Sequence, residues 1–244
     1  MSIEVEVYND KIFYFKNVIP NAKDIVEFLE KDIAHPFISK WLPWGNAYAF
    51  SLEQAGDLAP RDFGFTKCIY PTHGNNNEEN SWVYDSIDKG VKECSKMYSK
   101  LLNIDETENP RLPFGGYVIG RYNDKYGNGM HTDCPYDDLE HSYVIYYNDD
   151  YENGELYFPS YDLKIKPEAG SVVMFKSSDV ENDHEAIPAN GYKYVTPHFW
   201  RMGPSKGFVP YGENLKDYIS SVTVTNAFES LKSVEERKKE FLSE

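Results

Sequence analysis

His131-Thr132-Asp133, then His184, then Lys193 nine residues further on, are the residues of this 244-residue chain whose types and spacing could do chemistry. Side chains two apart on a strand share a face, so the imidazole and carboxylate of a His-x-Asp pattern converge on one point. A second imidazole from a distant strand completes a set of two nitrogens and one carboxylate. That set covers one face of an octahedral metal and leaves three positions open, the arrangement used in non-haem Fe(II) oxygen chemistry. Lys193, at a fixed distance past the second histidine, supplies the cation that an anionic co-substrate such as a 2-oxo acid requires. Each residue alone has a bland reading: a surface His-x-Asp pair, a histidine in an acidic loop, a solvated lysine. Order, spacing and strand-rich context together carry the sharper one. His198 is the rival second ligand, but Lys206, eight residues beyond it, lies past Gly203-Pro204 and outside a strand. His184 is therefore preferred, and His141 and His73 read as bystanders in polar loops.

The elements that must position these residues follow from periodicity. Residues 3–19 read as two strands around an Asn9-Asp10 turn. Asn21 is a candidate N-cap for a helix over 22–34, with Ile25, Phe28, Leu29 and Ile33 at helical spacing. Residues 35–82, broken by Pro36, Pro43, Pro60 and Pro71, read as loops and short pieces. Residues 82–102 carry Val83, Ile87, Val91, Cys94, Tyr98 and Leu101 on one stripe and read as a long packing helix. From Phe114 to Met202 the pattern is of strands: 117–122, 130–133, 143–147, 155–158, 164–165, 171–175, 185–187 and 192–200. Turn chemistry at Asn128-Gly129, Asn153-Gly154, 167–170 and Asn190-Gly191 separates them. About eight short strands with regular turns predict an α+β chain with a mainly β core, a double-stranded β-helix (jelly roll) with flanking helices. One domain is expected: 1–113 as supporting strands and helices, 114–205 as the core, 206–244 as an extension ending in an amphipathic helix over 226–244.

If Asn190 and Gly191 form a two-residue type I′ hairpin, Ala189 opposes Tyr192, Pro188 opposes Lys193 and His184 opposes Pro197. His184 and Lys193 then share a face about 13 Å apart along the strands, a gap that a five-carbon dicarboxylate could bridge. Pro188 and Pro197 cannot donate to such a ladder, which leaves it irregular there.

Acidic residues number 40 against 25 Lys and Arg, a net charge of −15, which argues against a surface that tracks nucleic-acid phosphates. The basic run Arg237-Lys238-Lys239 reads as a solvated helix face. Tyrosine occurs 20 times within an aromatic share of 16%, which favours strands. No leader is read in Met1–Asp10, and no segment approaches the roughly 20 apolar residues of a membrane span. Cys68, Cys94 and Cys134 are odd in number and far apart, so free thiols and a cytoplasmic setting are expected.

At these residues the chain resembles the prolyl 4-hydroxylase-like branch of the 2-oxoglutarate/Fe(II) dioxygenases. The resemblance runs from Tyr117 to Trp200 through Arg121-Tyr122, His131-Thr132-Asp133, Tyr146-Tyr147-Asn148, Gly154-Glu155-Leu156-Tyr157-Phe158-Pro159, Pro167-Glu168-Ala169-Gly170-Ser171, His184 and Lys193. It implies that His131, Asp133 and His184 hold Fe(II), that Lys193 pairs with the distal carboxylate of 2-oxoglutarate, and that Tyr122 and Tyr146 donate hydroxyls to it. It further implies O₂ as oxidant, ascorbate as a reductant, succinate and CO₂ as co-products, and hydroxylation of a substrate C–H. A carboxylate at Asp133 fits hydroxylation, since related halogenases lack it. The chain departs from the family in having Asn153-Gly154 where a Gly-Gly pair is frequent, and no arginine in 134–142. The family branch and the tyrosines flanking the site (Tyr126, Tyr136, Tyr143, Tyr157, Tyr161) suggest a prolyl residue in a peptide or protein, with a proline-rich segment docking on an aromatic groove. Hydroxylation of a free small molecule and a silent jelly-roll binding module are the alternatives. Trp200, by alternation from Lys193, faces away from the site. Oligomeric state is not legible.

Overall fold

Alternation along the strands sorts their side chains into two hydrophobic layers. The computed structural model describes residues 2–30, 42–43, 65–69, 78–104, 117–122, 128–133 and 140–201. Eight strands form one sheet in the order β1 (Glu4–Tyr8), β2 (Ile12–Lys16), β11 (Ser171–Lys176), β7 (Glu140–Tyr146), β14 (Lys193–Arg201), β5 (Tyr117–Tyr122), β4 (Phe65–Ile69) and β3 (Leu42–Pro43). A second sheet runs β10 (Leu163–Ile165), β9 (Leu156–Phe158), β12 (His184–Ala186) and β6 (Asn128–His131). A two-stranded ribbon pairs β13 (Ala189–Asn190) with β8 (Glu152–Asn153). Two facing antiparallel sheets with helices on one flank make a jelly-roll core of mainly β character.

One face of the large sheet presents Phe13, Phe15, Ile119, Tyr143, Ile145, Val172, Met174 and Tyr194 to the helices. These are α1 (Ala22–Glu30) and α2 (Glu78–Leu101). Helix α2 lays Val83, Ile87, Val91, Cys94 and Tyr98 into that layer, all buried, at the spacing of a single helical stripe. The opposite face turns Ile12, Tyr14, Tyr122, Val144, Tyr146, Val173, Phe175 and Val195 toward Leu156, Phe158 and Ile165 of the small sheet. Central strands β2 and β11 therefore read as near-continuous apolar runs, because both of their faces are covered. No described helix is long and apolar enough to cross a membrane.

Several expectations change. Phe65–Ile69, within the stretch read as loops, is a strand paired along its length with β5. Helix α1 is observed to Glu30, and the rest of the expected helix lies outside the described residues, as do 206–244 and His73. Asn21 accepts Ile25 N–H with its backbone carbonyl, while its side-chain amide donates to Ser86 on α2. Asn128-Gly129 begins β6 rather than forming a turn. His141 is not in a polar loop: it lies in β7, buried, with Nδ1 2.7 Å from the Tyr98 hydroxyl, and burial pushes its pKa down to about 4.

The Asn190-Gly191 hairpin does not form. Gly191 has φ 105° but Asn190 is not among the residues with positive φ, and a type I′ turn needs both. Ala189 instead opposes Asn153 across the ribbon, and β14 enters the large sheet between β7 and β5. His184 opposes His131, not Pro197, which opposes Val144. Proline at 188 offers no N–H with which to extend the local ladder.

Candidate metal centre

The direct pairing of His184 with His131 across β12 and β6 puts two imidazoles side by side, ring centroids 4.4 Å apart. Strand β6 ends at His131, so Asp133 stands just past the strand end and not on it. Its carboxylate nonetheless returns to the pair: Oδ1 is 3.1 Å from His131 Nε2, and Oδ2 is 3.7 Å from His184 Nε2. One ligand atom from each of the three residues lies within 4.8 Å of the other two, a spacing that could hold one metal ion.

Neighbouring groups fix which atoms face that point. His131 Nδ1 is 2.7 Å from the Gly129 carbonyl and His184 Nδ1 is 3.0 Å from the Asn182 carbonyl. A carbonyl accepts only from N–H, so both rings carry a proton on Nδ1, which leaves Nε2 as the ring atom beside Asp133 that a metal would take. The Asn128 amide nitrogen, 3.0 Å from His131 Nε2, shares that lone pair, and a metal would displace it. Ser142 on β7 donates to Asp133 Oδ2 at 2.5 Å and meets Ser177 at 2.8 Å, tying the carboxylate to the large sheet. Rings of Phe175, at 4.8 Å, and Phe158, at 5.6 Å, enclose His184 from the two sheets.

Charge states suit a cation. Burial pushes the His184 pKa down, which keeps that ring neutral. Burial works toward protonating Asp133, but the hydrogen bonds with His131 and Ser142 and the electrostatic pull of the His184 ring outweigh it and hold the carboxyl below its usual range. The hydrogen bond to Asp133 raises the His131 pKa against the effect of burial.

Lys193 faces the same inter-sheet space from the opposite wall. It opposes Tyr122 on β5, and Val195, two residues on, opposes Tyr146 on β7. All sit on the face turned toward the small sheet. Lys193 is 3% exposed, and its ammonium donates to backbone carbonyls, Gly154 at 3.1 Å and Ile187 at 3.3 Å. No carboxylate pairs with it among the described residues. Burial, with Lys166 nearby, brings its pKa down to about 8. A buried cation with two carbonyls and no anion is a seat for an anionic ligand.

The Tyr122 ring lies back along its own strand over Gly120, where an added Cβ would stand 2.9 Å from both Cζ and the hydroxyl. Tyr146 is buried, and burial drives its phenol pKa far up, so its hydroxyl stays a donor at neutral pH. His198 belongs to the other face, with Tyr143 at 5.2 Å and Tyr117 at 6.1 Å, and takes no part in the cluster.

Residues 117–201 match the 2OG-Fe(II) oxygenase superfamily. The matched stretch runs from β5 to β14 and contains His131, Asp133, His184 and Lys193. No curated protein matches the chain in sequence. Among solved structures, a Trichoplax adhaerens prolyl hydroxylase in complex with a hypoxia-inducible factor oxygen degradation domain peptide fragment is similar in fold. It has TM-score 0.53 and 15% identity, over 80% of this chain and 84% of that one. A Pseudomonas putida prolyl-4-hydroxylase gives 0.43 at 18% identity, over 63% and 80%. The viral collagen prolyl hydroxylase of Paramecium bursaria Chlorella virus-1 gives 0.42 at 19%, over 57% and 80%. The match supports an oxygenase and implies Fe(II) and 2-oxoglutarate as its cofactors.

Sequence reasoning misses Ser142, although a serine in register with the apolar inward residues Val144 and Tyr146 is a legible signal. The described tyrosines expected to line an aromatic groove do not share one face. Tyr143 is buried on the helix side, Tyr157 is on the outer face of β9 with Lys164 5.1 Å above its ring, and Tyr126 and Tyr136 lie outside the described residues. The alternation that turns Leu156 and Phe158 inward necessarily turns Tyr157 outward.

Proposed function

We propose that the chain hydroxylates a C–H bond, that of a prolyl residue in a peptide or protein, using Fe(II), 2-oxoglutarate and O₂. The observation that carries the reading is the convergence of two imidazole Nε2 atoms and the Asp133 carboxylate opposite a buried lysine that pairs with no anion among the described residues. His131, Asp133 and His184 would hold the iron. Lys193 would bind the distal carboxylate of 2-oxoglutarate, and Tyr122 and Tyr146 would donate hydroxyls to the same molecule. Bound iron, with 2-oxoglutarate and O₂, supplies the oxidising power for hydroxylation, with succinate and CO₂ as co-products. The chain's own part is to hold the carboxylate ionised, keep the His184 imidazole neutral, and exclude water with Phe158 and Phe175. The prolyl part of the reading is supported by the motif resemblance and by the peptide held by the Trichoplax enzyme.

The test is incubation with Fe(II), ascorbate and 2-oxoglutarate, with proline-containing peptides in one arm and free amino acids and other small molecules in another. Succinate release with a gain of one oxygen on proline is expected. Stimulation by small molecules alone would contradict the peptide reading.

Gly120→Ala adds a methyl where the Tyr122 ring lies, and the ring must leave its strand. The expected outcome is roughly tenfold weaker 2-oxoglutarate binding, one hydrogen bond to a charged group, with metal content unchanged. Calorimetric titration of the metal-loaded protein measures it.

A further inference from the structure

Tyr151, just before β8, is 6% exposed, and its hydroxyl is buried without a hydrogen-bond partner among the described residues. Buried hydroxyls elsewhere in the core are satisfied: Tyr14 accepts Glu168 N–H at 2.8 Å, and Tyr147 meets Thr196 at 3.0 Å. An orphan of this kind is costly, so one held rigidly in place calls for an explanation. The ring is held rigidly. Lys166 sits 3.9 Å above it and donates to the Tyr151 carbonyl at 2.7 Å. Gly154, with φ 75°, passes so close that a Cβ there would be 2.8 Å from the ring and 2.9 Å from Ala189 Cβ.

Gly154 also connects this orphan to the lysine. Its Cα packs on the Tyr151 ring while its carbonyl accepts from Lys193. The Tyr151 phenol also lies near that of Tyr146 and adds to burial in pushing its pKa up. The ring that carries the unpaired hydroxyl and the buried ammonium thus both contact one glycine, and among the described residues no carboxylate pairs with the ammonium. A carboxylate brought between the sheets offers about four lone-pair sites, more than one ammonium can satisfy, and burying it is costly unless they are filled. We propose that Tyr151 donates a hydrogen bond to the distal carboxylate of 2-oxoglutarate, alongside Lys193. The inference rests on the co-substrate site proposed above.

Anaerobic calorimetric titration of Mn(II)-loaded protein with 2-oxoglutarate tests it, with pyruvate, which keeps the 2-oxo acid head and lacks the distal carboxylate, as the second ligand. Tyr151→Phe should bind 2-oxoglutarate roughly ten- to a hundredfold more weakly and pyruvate unchanged. Its metal content should hold, and its melting temperature without ligand should hold or rise, because the variant removes a buried unpaired hydroxyl. Equal weakening toward both ligands, or a lower melting temperature without ligand, assigns the residue a packing role and overturns the inference. Lys193→Ala is measured alongside. If it weakens 2-oxoglutarate binding while Tyr151→Phe does not, the inference fails and the co-substrate site stands; if neither variant changes binding, the site itself is wrong.

Discussion

Alanine at His131, Asp133 or His184 is expected to strip the chain of iron, whereas His198→Ala retains it. Three protein ligands leave a metal half-solvated, so loss of one removes a third of the protein's hold. The effect should be largest for Asp133, the one anionic ligand, which also lies within reach of both imidazoles. His198 is the informative control. It is a histidine of the same strand-rich region, but it stands on the helix side of the large sheet among Tyr117 and Tyr143. Metal analysis of the four purified variants checks this. Iron lost from His198→Ala and kept by His184→Ala would reverse the assignment. Ser142→Ala should fall between, because it removes a donor to Asp133 and no ligand.

Lys193→Ala is expected to raise the 2-oxoglutarate requirement roughly ten- to over a hundredfold with iron still bound. A charge-assisted hydrogen bond of about 1.5–3 kcal/mol is lost. The pH dependence follows from the same group. Its pKa in the folded chain is brought down to about 8 from 10.5, so above pH 8 the free protein holds Lys193 neutral and binding must take up a proton. Affinity for 2-oxoglutarate should therefore fall as pH rises through about 8. Stability without ligand should move the other way. Between about 8 and 10.5 the unfolded chain binds the extra proton, so the lysine's penalty on folding shrinks as pH rises through that window. Lys193→Met should raise the melting temperature at pH 7 and reduce the stabilisation that a given 2-oxoglutarate concentration gives the parent. Titration and thermal melts across pH 6–9 read both signs.

Short-range pattern made much of this molecule legible. Tyr117–Tyr122 reads as a strand and is one, because its alternation places Tyr117 and Ile119 on the helix side and Tyr122 on the other. The stripe from Val83 to Tyr98 reads as a packed helix for the same reason. Phe65–Ile69 escapes notice because it is short and flanked by Pro60 and Pro71, and its strand identity comes from pairing with β5. At Asn190-Gly191 local turn chemistry gives the wrong partner. Long-range pairing of β14 with β7 and β5 wins, and it sends His184 and Lys193 to opposite walls of one space instead of neighbouring strands. Tyr151 carries no sequence signal at all, since an unpaired hydroxyl is a property of tertiary packing.

The most direct measurement is the visible spectrum of Fe(II)-loaded protein under anaerobic conditions as 2-oxoglutarate is added. A 2-oxo acid chelating iron held by His131, Asp133 and His184 should produce a charge-transfer band that saturates at one equivalent per chain, and the band should require much more 2-oxoglutarate in Lys193→Ala. Iron bound at one equivalent with no band at any 2-oxoglutarate concentration would contradict the account.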